Sequence, residues 1–364
     1  AVAGGPYAVE RDGTVTLDAS ASFDPGNDIA SYAWDLDGDG TYETAGATAD
    51  FTASLVGEYT VGLRVTDDDG ASGTDTATVT VPPPGPQLRT GVATSVVSPD
   101  KTWTTVPLDD TYNEMVVVTT PYYAAGQGPT VVRVRNARDD AFEFQAVSPG
   151  GGPIDGVDVH YVVAEAGVYN RADHGVTMEA VRVDSTRTDH KGSWVGQARA
   201  YANTYTSPVV LGQVMTANDP AWSVFWSSDG NRTKPPSAAS LHVGKHVGED
   251  PDTDRADETL GYLVIESGTG TVGELNYVAA LGEDTVRGVD DGSFVYSLSG
   301  LANPQSAVLT QAAMDGNNGG WAVLAGPDAV TDTQLRLAID EDQLGDDERA
   351  HITEQVAYVI LEPV

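Results

Sequence analysis

Residues 208–228 read PVVLGQVMTANDPAWSVFWSS, and LHVGKHVGED (241–250) and DETLGYLVIESG (257–268) follow them. Apolar, β-branched runs broken by acidic, turn-rich loops predict three strands here. Towards the end of the chain the same order returns, in SAVLTQAAMDGNNGGWAVLAG (306–326) and QVAYVILEP (355–363). Such internal repetition divides a chain into equivalent structural units.

The two copies share four landmarks. Val210-Leu211-x-Gln213 aligns with Val308-Leu309-x-Gln311, Trp222-Ser-Val224 with Trp321-Ala-Val323, Val247-x-Glu249-Asp250 with Ile339-x-Glu341-Asp342, and Leu260–Glu266 with Val356–Glu362. A fainter copy, Met115–Gly167, precedes both. The interval of roughly 95 to 100 residues is the size of one small β domain. We therefore predict three β-sandwich repeats, at residues 88–168, 169–270 and 271–364.

The secondary structure is predicted to be all-β. Segments such as Val116–Val118 and Tyr262–Ile265 are rich in β-branched and aromatic residues, which favour strands. No stretch carries an apolar stripe of helical period over three turns. Only Gln343–Gln355 is predicted to form one short helix.

The charge is strongly acidic. The chain has 19 Lys and Arg against 54 Asp and Glu, a formal net charge of −35. Nucleic acids and anionic lipids are bound by clustered basic residues, so we expect neither as a partner. The carboxylates form a solvated coat suited to salt, which screens their repulsion, or some of them coordinate Ca²⁺. The two interpretations are compatible.

The composition indicates an exported protein. Cysteine is absent, which excludes a disulfide framework and thiolate metal sites. No apolar run reaches the roughly 18 residues of a membrane span, so we expect no membrane insertion. No signal-peptide pattern begins at Ala1, and we expect a mature product from which any targeting segment has been removed.

Residues 1–81 form one unit of alternating strands. Its landmarks are Gly5-Pro6-Tyr7, Asp18-Ala-Ser-Ala-Ser22-Phe23-Asp24, Ser31-Tyr32-Ala33-Trp34-Asp35, Gly57-Glu58-Tyr59-Thr60-Val61 and Val65-Thr66-Asp67-Asp68-Asp69-Gly70. In this order they resemble the polycystic-kidney-disease (PKD) domain, an immunoglobulin-like sandwich. The resemblance implies an extracellular spacer or interaction module, not a catalyst. The proline-rich run at residues 82–87 then predicts a semi-rigid linker.

Two acidic stretches of this unit bear on calcium. The PKD resemblance implies Ca²⁺ near Asp24 and Asp67, with plain turn acids as the alternative. The run Asp35-Leu-Asp37-Gly-Asp39-Gly40 places acids at the first, third and fifth positions of an EF-hand loop. However, Gly46 stands where the bidentate Glu belongs, and a strand leads in where a helix should. We therefore reject an EF-hand here.

The three repeats loosely resemble the H-type lectin domain, a small sandwich that family members assemble into trimers. The resemblance lies in the strand order and in each repeat's last strand, Val159–Gly167, Leu260–Glu266 and Val356–Glu362. It assigns no sugar-contacting residue to this sequence. Three copies in one chain could form a covalent pseudo-trimer, and beads in a row are the alternative.

A further candidate calcium site is the loop that contains Glu249, Asp250, Asp252 and Asp254. Its counterpart at residues 340–348 is equally acidic. Dense carboxylates on a loop suit Ca²⁺, which takes six to eight oxygen ligands. In the alternative interpretation, Arg255 and Arg349 neutralise some of these acids as surface ion pairs.

Motifs for catalysis are absent from the sequence. It has no nucleophile elbow, phosphate-binding glycine loop or metallopeptidase motif. His242 and His246 are predicted to lie on a strand, ~13 Å apart, which is too far for one zinc ion. Carboxylate pairs of a glycoside hydrolase are a third reading, because sequence spacing does not give their separation in space.

The sequence thus predicts a non-catalytic extracellular surface protein for adhesion or self-assembly, such as a subunit of a filament or surface layer. The alternative is a glycan-binding accessory module of a secreted polysaccharide-degrading enzyme. Several aromatic residues could stack on sugar rings or, at strand spacing, pack in cores. They are Tyr122, Tyr123, Trp194, Tyr201, Trp222, Phe225, Trp226 and Trp321.

Overall fold

The computed structural model describes residues 1–95 and 102–364, where strands predominate and confirm the all-β prediction. In this part of the chain the only α-helix is Arg171–His174, and a 3₁₀ turn lies at Val289–Asp291. The helix predicted for Gln343–Gln355 is wrong, because that segment is an irregular loop as far as the last strand. Gly345 and the aspartates beside it are poor helix formers. The chain divides into two compact units, Ala1–Gly85 and Pro86–Val364.

The first unit is a sandwich of two sheets. It contains β1 (Tyr7–Ala8), β2 (Thr14–Asp18), β3 (Ile29–Asp35), β4 (Thr44–Ala45), β5 (Thr48–Thr52), β6 (Gly57–Asp67) and β7 (Ser72–Val81). One sheet has the order β1-β7-β6-β3-β4, and the other pairs β2 with β5. In β7, Ala77, Val79 and Val81 alternate with more exposed residues, as in a half-buried strand. Trp34 is fully buried in the shared core, and its indole nitrogen donates to the Gly46 carbonyl at 3.1 Å.

The second unit contains three copies of one strand pattern. The first copy has β8 (Leu88–Thr94), β9 (Thr104–Tyr112), β10 (Met115–Tyr123), β11 (Val131–Val147) and β12 (Asp158–Glu165). The second copy has β13 (Gly167–Tyr169), β14 (Met178–Ser185), β15 (Thr188–Asp189), β16 (Gln197–Arg199), β17 (Pro208–Val214), β18 (Val224–Ser228), β19 (Leu241–His246) and β20 (Glu258–Glu266). The third copy has β21 (Gly268–Val272), β22 (Leu275–Leu281), β23 (Phe294–Ser297), β24 (Ser306–Ala312), β25 (Trp321–Ala325), β26 (Gln334–Asp340) and β27 (Gln355–Pro363). In each copy the last strand is flanked by two antiparallel partners. Thus β12 lies between β8 and β10, β20 between β14 and β17, and β27 between β22 and β24.

A glutamate marks the same position in all three of these strands. It accepts two successive backbone N–H groups from the segment that precedes the neighbouring strand. The contacts join Glu165 to Asn113 and Glu114, Glu266 to Thr206 and Ser207, and Glu362 to Ala302 and Asn303, at 2.6 to 2.9 Å. Hydrogen bonds to an ionised acceptor are stronger than neutral ones. The repeated contact identifies the three glutamates as equivalent positions.

These glutamates also correct one detail of the sequence alignment. Val210 pairs with Val264, and Ala307 pairs with Ile360, each two residues before its glutamate. Val210 is therefore equivalent to Ala307 and not to Val308. Strands β17 and β24 are buried along their whole length, so they lack the alternation of polar and apolar residues that predicts a register.

The three copies pack as a closed ring. Thr119 Oγ1 donates to Gln213 Oε1 (2.6 Å), the Gly212 N–H donates to Thr310 Oγ1 (3.1 Å), and the Leu309 N–H donates to Thr120 Oγ1 (2.8 Å). Counted from the glutamates, the three donors occupy equivalent positions, and so do the three acceptors. A hydrogen bond between equivalent positions thus runs from the first copy to the second, from the second to the third, and from the third back to the first, with a hydroxyl donor in the first case and backbone N–H donors in the other two. The second unit is a pseudo-trimer within one chain.

Strands and core residues also cross between copies. β25 of the third copy pairs in parallel with β10 of the first, and β18 of the second pairs in parallel with β24 of the third. One hydrophobic core draws Val117, Leu211 and Val308 from the first, second and third copies. The copies cannot separate without exposing this apolar surface to water.

One arginine side chain spans each junction of the ring. Arg133 donates to the Pro220 carbonyl (2.7 Å), Arg232 to the Asp315 carbonyl (2.8 Å) and Arg349 to the Gln127 carbonyl (2.8 Å). These contacts again run from each copy to the next. Three of the few basic side chains in this chain therefore donate hydrogen bonds to backbone carbonyl groups across the junctions between copies.

The first and last residues of the second unit, Pro86 and Val364, both lie beside one turn, at residues 273–274 between β21 and β22. A Cβ atom on Gly273 would lie 3.8 Å from the Pro86 carbonyl oxygen. The Val364 N–H donates to the Glu274 carbonyl at 2.9 Å. Pro86 and Val364 therefore lie at neighbouring points of this unit.

Candidate functional sites

Four carboxylates converge in the turn between β3 and β4. Asp35, Asp37, Asp39 and Glu43 each offer an oxygen, and these oxygens all lie within 4.8 Å of one another. Asp35 is 5% exposed, and the other three are exposed. We call this group the Asp35 turn. Converging oxygens on a short loop can hold a hard cation such as Ca²⁺.

Backbone N–H groups hold the Asp35 carboxylate in the turn. Asp35 accepts the N–H groups of Gly38 (2.7 Å) and Gly40 (2.8 Å). Both glycines have positive φ, 74° and 90°, which they adopt without the steric cost of a Cβ. A strand leads into the turn, so this is not an EF-hand. Comparison with the EF-hand pattern did not single out Glu43, because that pattern requires its glutamate at the twelfth loop position and Glu43 occupies the ninth.

The two acids that the PKD resemblance singled out lie near a third, Asp28. The pKa of Asp28 is raised because its carboxyl hydrogen-bonds that of Asp24, with burial and the charges of Asp24 and Asp67 adding to the effect. Asp24 also accepts the Gly26 N–H at 2.6 Å. Asp24 and Asp67 thus share one acidic neighbourhood, and calcium there stays a prediction.

In the loop after β19, an arginine binds two of the predicted calcium ligands. The Arg255 side chain is 1% exposed, and it lies 2.7 Å from Asp250 and 3.1 Å from Asp252. Glu249 pairs with Lys191, and the backbone N–H of Asp254 donates to Asp252. The pairing agrees with the ion-pair interpretation, but the prediction of surface pairs is wrong, because Arg255 is buried and Arg349 is only 12% exposed. Calcium bound by Glu249, Asp250, Asp252 and Asp254 stays a prediction.

The counterpart loop at residues 340–354 is more buried than the sequence suggests. Burial is the first cause that raises the pKa of Glu341 to about 9, of Asp342 to about 6 and of Glu354 to about 8. The order of charged and apolar residues in the sequence of this loop does not reveal that these carboxylates are buried. Arg349 pairs with Asp340 at 2.7 Å.

The histidines do not form a metal pair. His242 and His246 both lie on β19, as predicted. Burial lowers the pKa of His246 to about 3, and His246 packs against the Trp194 ring at a centroid distance of 5.3 Å. His160 lies where the first copy meets the third, and its Nδ1 accepts the Ala307 N–H at 3.2 Å.

Most of the candidate sugar-stacking aromatics belong to the core. Trp222 and Trp321 are 4% and 6% exposed and meet edge to face across the second and third copies, with centroids 5.9 Å apart. Trp226 is 1% exposed and contacts Trp194. Tyr122 is half-buried and lines a cleft of about 550 Å³ between the first and third copies. Trp222 in turn lines a cleft of about 620 Å³ between the first and second copies.

Among the described residues, no helix is long and apolar enough to cross a membrane. Residues 1–81 match the family described as PKD domain, which confirms the resemblance seen in the sequence. The first unit is therefore a PKD domain.

One curated relative is Halomucin from Haloquadratum walsbyi. It is 26% identical over 317 residues, and the match covers 82% of this chain and 3% of that protein. The chain thus spans only a small part of the length of this relative. A solved carbohydrate-binding module of the β-sandwich superfamily matches 72% of this chain and 88% of its own at 18% identity, with a TM-score of 0.21. A TM-score this low does not support a shared fold, so the H-type lectin resemblance stays a prediction.

Proposed function

We propose that this protein is a non-catalytic extracellular surface protein that works by adhesion or self-assembly. The observation that best supports the proposal is the share of this chain that aligns with Halomucin. The alignment covers 82% of the chain, more than residues 86–364 contribute, so it extends into both units. Sequence from parts of both units is thus matched within one much longer protein, as expected if such units are building blocks of a longer chain.

The acidic surface supports a function of this protein in concentrated salt. A net charge of −35 repels other copies at low ionic strength, whereas at 1 M salt the screening length falls to about 3 Å. Contacts between copies then become possible. Such contacts have sheet edges available: Val92, Val168 and Val295, on the edge strands β8, β13 and β23, are 46 to 50% exposed. Edge strands can pair with another chain.

The test is the size of the native particle. Light scattering and negative-stain microscopy in molar KCl should show polymers or large oligomers that dissociate as the salt is diluted. Glycan-array binding is measured on the same sample. A protein that stays monomeric at every salt concentration and binds no glycan contradicts both adhesion and self-assembly.

Glycan binding is the second candidate, and the cleft beside Tyr122 favours it. The half-buried ring lies near Gln127, Asp290 and Ser293, so an aromatic face and hydrogen-bonding groups line one cavity. In this case the protein stays small and binds the array. A Tyr122→Ala variant should lose that binding, because the ring supplies the stacking surface.

We further propose that the Asp35 turn binds Ca²⁺. The Asp37→Asn, Asp39→Asn double variant should abolish the calcium response of the first unit, because two of four converging carboxylates lose their charge. At a calcium concentration about 100-fold above Kd, the wild-type unit should gain about 2.7 kcal/mol over its calcium-free form. Calorimetry in CaCl₂ and in EDTA, at constant ionic strength, measures this gain.

The indole N–H resonance of Trp34 provides a local readout, because Trp34 directly precedes Asp35 and bonds to Gly46, just after β4. It should shift with calcium in the wild type and remain fixed in the double variant. Glu10→Gln, which removes an exposed charge from the same unit, is the control and should respond as wild type does. A first unit whose melting is equal in CaCl₂ and EDTA excludes the site.

A further inference from the structure

A short sequence pattern in the second unit is independent of the sites described above. Residues 231–233 read Asn-Arg-Thr, and this is the only Asn-x-Ser/Thr triplet in the 364 residues. In exported proteins, such a triplet with x other than proline is the acceptor for N-linked glycans. Three residues are a short pattern, so the surroundings of Asn231 must show whether a glycan fits there.

The triplet lies on the surface, in the loop between β18 and β19. Asn231 and Thr233 are both exposed, whereas Arg232 between them is half-buried. The Arg232 side chain is directed towards the third copy, where it donates to the Asp315 carbonyl at 2.8 Å. The asparagine and the threonine on either side of it are therefore open to solvent together in the folded protein.

Backbone hydrogen bonds define the shape of this loop. The Lys234 N–H donates to the Asn231 carbonyl at 2.9 Å, and the Asp229 N–H donates to the Lys234 carbonyl at 3.0 Å. Asp229 Oδ1 accepts the Asn231 N–H at 2.9 Å. The Met314 N–H donates to the Arg232 carbonyl at 2.6 Å and so attaches the turn to the third copy. The fold thus holds Asn231 in a tight turn that projects outward.

The Asn231 side chain bonds to Thr233 through its oxygen alone. Its Oδ1 accepts the Thr233 N–H at 3.2 Å and the Thr233 hydroxyl at 3.3 Å, as in the turns that asparagine forms with the backbone two residues on. Its Nδ2 has no hydrogen-bond partner among the described residues. The amide nitrogen is therefore available for reaction, and the threonine hydroxyl is bound to the same amide group.

We propose that Asn231 is N-glycosylated when the protein is exported, an inference that rests on its proposed extracellular location. The donor is a lipid-linked glycosyl phosphate, and Asn231 Nδ2 forms a bond to the anomeric carbon of its sugar. The bond from that carbon to the phosphate oxygen breaks, the phosphate leaves with the electron pair, and the amide nitrogen loses one proton. A transferase of the exporting cell catalyses the step, and this chain supplies only the acceptor.

The glycan would serve this acidic protein in concentrated salt. Salt screens the repulsion between carboxylates, and with it the charge effect that keeps acidic proteins in solution. A bulky, hydrated and uncharged group maintains solubility without depending on that repulsion. The position beside the contact of Arg232 with Asp315 places the glycan near the junction of the second and third copies.

The experiment uses the full chain, secreted by a host that exports and N-glycosylates its own surface proteins. Mass spectrometry of the exported protein, intact and as proteolytic peptides, measures the modification. We expect the peptide that contains Asn231 to exceed its sequence mass by a whole number of sugar residues. Asn231→Gln should lose this mass completely. Thr233→Ala should lose it as well, although Nδ2 remains, whereas Thr233→Ser keeps the hydroxyl and should retain the glycan.

Controls separate a missing acceptor from a damaged fold. Asn113→Gln removes an exposed asparagine that no Ser or Thr follows at the second position, so it should keep the glycan. Calorimetry should show the melting transition of the second unit in every variant, because Asn231 and Thr233 are exposed.

Unmodified Asn231 in the exported wild type, from cells whose own surface proteins carry N-linked glycans, overturns the proposal. A glycan that survives Thr233→Ala also overturns it. Neither result contradicts adhesion or self-assembly. Cell fractionation reports separately on location, since a chain retained inside the cell contradicts the extracellular function and the glycosylation with it.

Discussion

Replacing Arg349 by Met should destabilise the second unit by about 3–5 kcal/mol, the usual cost of breaking a buried ion pair. The Arg349 side chain is 12% exposed, and its partner Asp340 is fully buried. Met fills a similar volume but leaves the Asp340 carboxylate without its cation. It also removes the hydrogen bond to the Gln127 carbonyl that joins the third copy to the first.

Urea unfolding at constant KCl concentration, followed by far-ultraviolet circular dichroism, measures this loss. The double variant Arg349→Met, Asp340→Asn should recover much of it, because the uncompensated charge is gone. Arg11→Met serves as the matched control, since Arg11 is 59% exposed and pairs only at the surface. A loss below about 1 kcal/mol, the range of surface pairs, would show that Arg349 does not stabilise the ring.

Trp34→Ala should destabilise the PKD domain by about 3–5 kcal/mol, close to the whole stability of a small domain. The ring is fully buried between the two sheets, so its removal leaves a large cavity and an unpaired Gly46 carbonyl. The second unit should keep its own melting transition, because each unit has its own hydrophobic core.

Differential scanning calorimetry of the full chain separates the two effects. The first-unit transition should move to much lower temperature or vanish, while that of the second unit remains. Phe23→Ala is the control, because Phe23 is 76% exposed in the same domain. If Trp34→Ala lowers both transitions equally, the two units do not unfold independently.

The strands and the repeat were predictable because they depend on local patterns. Alternation in β7 and the recurring Tyr262 and Tyr358 strands are visible in the sequence. The ring was predicted only as one of two arrangements, since the parallel pairing of β10 with β25 joins residues about two hundred positions apart. Such pairing leaves no local signal, and neither does the register of strands that are buried on both faces.

The candidate sites were less predictable than the fold. The sequence indicated that residues 249–254 and 340–348 are acidic, but not that Arg255 would neutralise Asp250 or that Glu341 would be buried. Both outcomes depend on tertiary packing. Glu43 could have been found, because acids at alternate positions of a turn point to one centre whether or not a helix follows.

The position of the two chain ends at the turn at residues 273–274 has a mechanical consequence. A force applied between Pro86 and Val364 would act between neighbouring points and would not run through the ring. The second unit then lies to one side of the line along which the force acts, and its sheets bear little of the tension. Under such a force the ring would keep its shape, because none of the contacts between its copies lies on the line that joins the two points.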